Sequence, residues 1–176
     1  LLAKTAHAPL YNGEASVPPS LREAILSFLL ASAVRSIREV EPIHNSMLVH
    51  VIRYTEVQKK VASQVEIELK NIVRRLVYGD GNRTPTILEE FLELWESGDG
   101  GFIETNLDCA RILGSEVVDL PPWDEVQAAL PQIAKSVRVK VINGEGVDVL
   151  DYEESKDGLN VIAIGGDKLS RGLTLE

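Results

Sequence analysis

The residues best suited to chemistry fall in one stretch, "NVIAIGGDKLSRGLTLE", Asn160 to Glu176. Four apolar residues, Val161 to Ile164, run into Gly165-Gly166 and then into Asp167, Lys168, Ser170 and Arg171. The apolar run has the pattern of a buried strand. The glycine pair permits backbone conformations, or a close approach, that a side chain would obstruct. Behind it stand a carboxylate, an ammonium, a hydroxyl and a guanidinium whose planar fork suits phosphate or carboxylate. In parallel α/β sheets ligands sit outside the carboxyl ends of the strands, where loops and helix N-termini converge. Gly-Gly-Asp also makes an ordinary strand-to-helix turn, and residue types alone leave both roles open.

Other chemistries are less well supplied. No G-x-x-x-x-G-K-[ST] phosphate loop occurs, and no paired acids follow a strand to hold magnesium. Two E-x-K triplets have the composition of a metal-dependent nuclease. Glu68-Leu69-Lys70 falls on a predicted helix with its leucine on the core face. Glu154-Ser155-Lys156, with Asp148 and Asp151 upstream, lies in a polar loop without a supporting strand. His7, His44 and His50 lack metal-ligand spacing; His50, inside an apolar strand, suits the core or a binding subsite. A single cysteine, Cys109, excludes an internal disulfide and every multi-cysteine zinc pattern. No metal site is expected.

The elements that must position these residues are legible in the spacing. Ser20 to Val40 carries apolar residues at helical intervals behind an S-x-x-E capping box, Ser20 with Glu23. "SMLVHVIR", Ser46 to Arg53, has the pattern of a buried strand. Thr55 with Gln58 marks a second box, opening a helix whose apolar residues recur down to Gly79. A third helix is predicted from Thr84, with Pro85 in its first turn. Phe102 to Leu120 is expected to be irregular, with a short strand at Val117-Val118. A helix follows from Trp123 to about Ser136, bent at Pro131, and then a strand, "VRVKVING". Apolar strands separated by helices predict a parallel sheet flanked by helices.

The 176 residues bound this to one domain or a large piece of one. Apolar runs are too short to cross a bilayer, and no signal peptide is evident. A cytoplasmic protein is therefore expected, with no membrane partner. A net charge of −9 disfavours binding nucleic acid through the overall field. Bases nevertheless outnumber acids between Arg53 and Arg83, and the balance reverses from Glu89 to Glu125. Either two solvated helix faces or a local phosphate-facing patch fits that asymmetry.

Three stretches, "SLREAILSFLLASAVRSIR", "HNSMLVHVIRYTEVQ" and "LNVIAIGGDKLSRGLTLE", resemble the Z1 domain family. These are bacterial proteins described as candidate endonucleases, related to superfamily II helicases and found among restriction and phage-defence genes. The resemblance runs from Ser20 onward and is weakest between Gly98 and Pro122. It implies a RecA-like domain over residues 20–176 with a helical insert at about 55–136, behind an irregular segment, 1–19. The strand Met47 to Arg53 resembles motif IV of a second helicase motor half, and Asn143-Gly144 resembles a later strand end of that half. "GGDKLSRGLTLE" resembles motif V. Aligned on Arg171-Gly172, Asp167 matches the motif's first acid. Gly166 stands where a threonine commonly contacts the nucleic-acid backbone, and Thr174 stands where a second acid would lie near the nucleotide ribose.

The resemblance thus implies a truncated second motor half of a DNA-acting, helicase-like ATPase. Arg171 and Asp167 would be catalytic, with Gly165, Gly166, Ser170, Gly172 and Thr174 lining the nucleotide cleft. Lys168, His50 and Arg53 would contact nucleic acid. ATP and Mg2+ would bind only in the full-length protein, against a P-loop half of the same chain, and restriction-system proteins would be partners. The start without methionine and the end inside motif V suggest a fragment, inactive alone. A metal-dependent endonuclease using Asp148 to Glu154, and a non-catalytic interaction domain using Thr55 to Ser97, are the alternatives.

Overall fold

The computed structural model describes residues 9–39, 43–96, 101–117, 119–142 and 158–166. Its elements run α1 (Pro19–Arg38), β1 (Asn45–His50), α2 (Thr55–Tyr78), α3 (Ile87–Glu96), α4 (Phe102–Leu113), α5 (Trp123–Ser136), β2 (Arg138–Ile142) and β3 (Asn160–Gly165). The three described strands form a parallel sheet in the order β1-β3-β2, so β3 lies between the other two. The mixed α/β class with a parallel sheet is as expected. Helices α2 to α5 all fall between β1 and β2.

The central position of β3 explains its composition. Val161 to Ile164 are fully buried, which requires apolar side chains on both faces. The register aligns Met47, Ile162 and Val139 in one row and Val49, Ile164 and Val141 in the next. Both rows belong to the main core, against which α2 packs. Alternation turns Ala163 to the other face, where it meets Ile142 in a small separate cluster. Helix α1 supplies Ile25, Leu29 and Leu30 to the main core and packs most closely on α5.

Helix ends depart from the sequence reading in instructive ways. Helix α1 starts at Pro19 with Pro18 as its cap, and no side chain caps it. Pro19 lacks an N–H to satisfy, and Pro18 O accepts from both Leu21 N and Arg22 N at 3.0 Å, so the predicted Ser20–Glu23 box has no role. Helix α2 is capped by Tyr54 rather than through Thr55. Helix α3 begins at Ile87, later than predicted, because the box lies at Thr86. Its N–H donates to Glu89 Oε2 at 2.7 Å, and Glu89 N donates back to Thr86 Oγ1 at 3.2 Å.

The segment expected to be irregular is largely helix α4, ended by Gly114 in the left-handed conformation (φ 62°). Only Ala110 of α4 is buried, while Ile103, Leu107, Ile112 and Leu113 are exposed. It is held instead by Phe102, stacked on Trp95 with centroids 5.1 Å apart. Trp95 also meets Trp123 at 5.8 Å, joining α3, α4 and α5. Val117 is not in a strand, and Val118 lies outside the described residues. Pro131 sits within a continuous α5. Among the described residues no helix is long and apolar enough to cross a membrane.

A charged network ties α1, α2 and α3 together. Arg75 donates to Asp80 through Nε, to Glu90 Oε1 through Nη1 at 2.7 Å, and to Pro85 O through Nη2 at 3.0 Å. Arg22 pairs with both Glu90 and Glu68, the latter at 2.8 Å. Burial pushes the Asp80 carboxyl up, but the Ile87 N–H and the Arg75 guanidinium outweigh it and hold the group below its ordinary range.

Candidate functional site

Three chain ends converge at the carboxyl side of the sheet: the end of β3, the turn after β1, and the N-terminus of α2. Val51 N donates to Gly165 O at 2.8 Å, carrying the β1–β3 pairing one residue past the last strand pair, His50 with Gly165. Gly166 comes next and lies directly against the turn. A Cβ built on it would stand 2.8 Å from Arg53 Cα, 2.8 Å from Gln58 Nε2 and 3.1 Å from Ile52 O. Backbone cannot yield as a flexible side chain can, so glycine is required here by close approach. Of the two uses of glycine, backbone freedom and close approach, Gly166 serves close approach, here to the turn after β1.

Gln58 is the residue that sequence reading misassigned. Pairing it with Thr55 in a capping box would have placed it on the helix N-terminus. With Tyr54 as the cap, Gln58 lies a full turn in and faces the sheet. Its Nε2 donates to Ile52 O at 3.1 Å, fixing the turn, and its residue is only 3% exposed. Among the described residues its Oε1 is buried without a hydrogen-bond partner. An acceptor in that state costs about 1–3 kcal/mol, so it marks a place where a donor is wanted. A glutamine one turn into the helix after a strand was the available signal.

His50 is exposed rather than enclosed in the core, because β1 ends with it. Arg53 is also exposed, with its guanidinium carbon 5.5 Å from the centroid of the Tyr54 ring. His50, Arg53, Gly165 and Gly166 are therefore brought to one edge of the sheet. The positive end of the α2 dipole is at the same edge, partly offset by Glu56 in its first turn. Asp167, Lys168, Ser170, Arg171, Gly172 and Thr174 lie outside the described residues.

The Z1 domain family model matches residues 20–176. The chain belongs to the Z1 domain family. No curated protein and no solved structure matches it. Within this Z1 domain, Gly166 has no space for a side chain. Ile52, Arg53 and Gln58 occupy the volume it would need.

The first rival site is not assembled. Glu68 is committed to Arg22, Leu69 is in the core, and Lys70 is turned to Glu66 at 3.7 Å, so the first E-x-K triplet does not converge. Among the described residues no group of three His, Cys, Asp or Glu could hold a metal ion. The acidic stretch Asp148 to Glu154, with Ser155 and Lys156, lies outside the described residues, as does Asn143-Gly144. Trp95 and Trp123 belong to the packing already described, and Cys109 is exposed on α4.

Proposed function

We propose that this Z1 domain is part of the second, RecA-like motor half of a helicase-like ATPase acting on DNA in bacterial restriction or phage defence. The supporting observation is the convergence of β1, β3 and α2 at the carboxyl edge of a parallel sheet, sealed by Gly166. A ligand cleft in such a sheet belongs at that edge. The motif V-like residues continue from it along the chain. Arg171 and Asp167 would act on the nucleotide, with Ser170, Gly172 and Thr174 beside them and Lys168, His50 and Arg53 toward the nucleic acid. Mg2+ and the phosphates of ATP would be held chiefly by a P-loop half elsewhere in the full-length protein. Mg2+ there would neutralise charge developing on the transferred phosphoryl group.

The nuclease alternative is separable by one experiment. A full-length protein with its P-loop lysine replaced is expected to leave supercoiled DNA intact in magnesium or manganese. Cleavage by that variant, abolished by Asp151→Ala or Glu154→Ala, would contradict the motor assignment and establish the acidic stretch as a metal site.

A further inference from the structure

A second feature lies at the opposite, amino end of the sheet. A groove of 540 Å³ opens between the second half of α2, the last turn of α5 and the start of β2. Val73 and Val139 line it, with Leu69 and Val137 deeper in the core, so its floor is apolar. Lys70, Arg74, Lys135 and Arg138 line it too, all exposed, against a single lining carboxylate among the described residues, Glu66. Four cations therefore face one acid, in a chain whose net charge is −9.

The guanidiniums are held without being neutralised. Arg138 Nη1 donates to Lys135 O at 3.0 Å, and Arg74 Nη2 donates to Asn71 Oδ1 at 3.1 Å. Both acceptors are neutral, so each side chain is oriented while its charge stays available. A basic rim around an apolar floor is complementary to an anionic ligand that carries an apolar part.

We propose that this groove binds an acidic segment of a partner protein, with an aliphatic side chain on the Val73–Val139 floor and carboxylates against the basic rim. A nucleic-acid strand fits less well. Its phosphodiester backbone offers nothing to an apolar floor, and the acidic remainder of the chain repels an extended polyanion. A short acidic peptide engages the local cations within about one Debye length, roughly 8 Å at physiological salt, and avoids that repulsion. Its position at the amino ends of the strands leaves the candidate cleft free, so binding here does not depend on the motor assignment.

Fluorescence anisotropy with the 176-residue chain tests this. The probe is a fluorescein-labelled peptide alternating glutamate or aspartate with leucine or valine. Saturable binding is expected below about 1 mM, the weak end of specific association. Replacing the peptide's aliphatic residues by serine is expected to weaken it about tenfold or more, as is Arg74→Glu with Lys135→Glu. A second pair, Lys70→Glu with Arg138→Glu, repeats the test if the first variant melts early. Absence of saturable binding, indifference to both charge reversals in variants that melt like wild type, or indifference to the serine substitutions would overturn the proposal. So would tighter binding of an oligothymidylate of equal charge that the same reversals abolish, which would make the groove a nucleic-acid surface.

Discussion

At the scale of single residues, Gly166 is the most constrained position on the candidate edge. Adding one methyl group puts carbon 2.8 Å from the Arg53 backbone, and the strand end or the turn must then move. Overpacking of this kind costs about 1–3 kcal/mol. Gly166→Ala is therefore expected to lower the melting temperature by several degrees, at roughly 2–4 °C per kcal/mol for a domain of this size. An unchanged melting temperature would mean that the turn yields freely. Gln58 separates stability from function differently. Gln58→Leu removes the bond to Ile52 O together with the unpartnered Oε1, so the net stability change should stay within about 1 kcal/mol. If Oε1 serves a ligand, activity of the full-length protein falls while the melting temperature holds.

At the scale of elements, α2 and α3 are joined through Arg75. Its side chain is 6% exposed and faces two carboxylates, so Arg75→Ala leaves Asp80 without its buried counter-charge and Glu90 with Arg22 alone. Removing one partner of a buried pair costs about 3–5 kcal/mol. Thermal melts should show a loss near 10 °C, and a shift under about 2 °C would show that water replaces the guanidinium cheaply. The depressed Asp80 carboxyl makes the same network pH-sensitive. Its folded-state value lies below its ordinary 3.8, so its contribution is fully present above that value. It is lost as pH falls through the folded-state value. Wild type should lose more stability than Asp80→Asn between about pH 5 and pH 2.

Sequence pattern located these elements unevenly, for physical reasons. Strand β3 and helices α1 and α2 were legible because their burial is periodic or complete. Helix α4 was not, since it buries one residue and depends on a ring contact between Phe102 and Trp95. The cap at Thr86 was missed because Thr84-Pro85 gave the stronger local signal for a helix start. At the candidate site, the glycine pair was recognisable from its place after a buried strand. Gln58 was not, because its role depends on a cap set one residue earlier, at Tyr54, and on a strand more than a hundred residues away in the chain.

At the scale of the whole molecule, the central claim is that this Z1 domain completes a nucleotide cleft it does not form alone. The 176-residue chain should then neither bind ATP at micromolar concentration in calorimetric titration nor hydrolyse it. The most direct measurement is DNA-stimulated ATP hydrolysis by the full-length protein, wild type against Arg171→Ala, with melting temperatures recorded in parallel. A guanidinium serving the cleft contributes a charged hydrogen bond worth about 1.5–3 kcal/mol, so the rate should fall about tenfold or more. The melting temperature should remain within about 3 °C of wild type, as expected if the residue contributes no more than an exposed ion pair. Full DNA-stimulated hydrolysis by an Arg171→Ala protein that melts clearly earlier would contradict the account and leave the motif a structural turn.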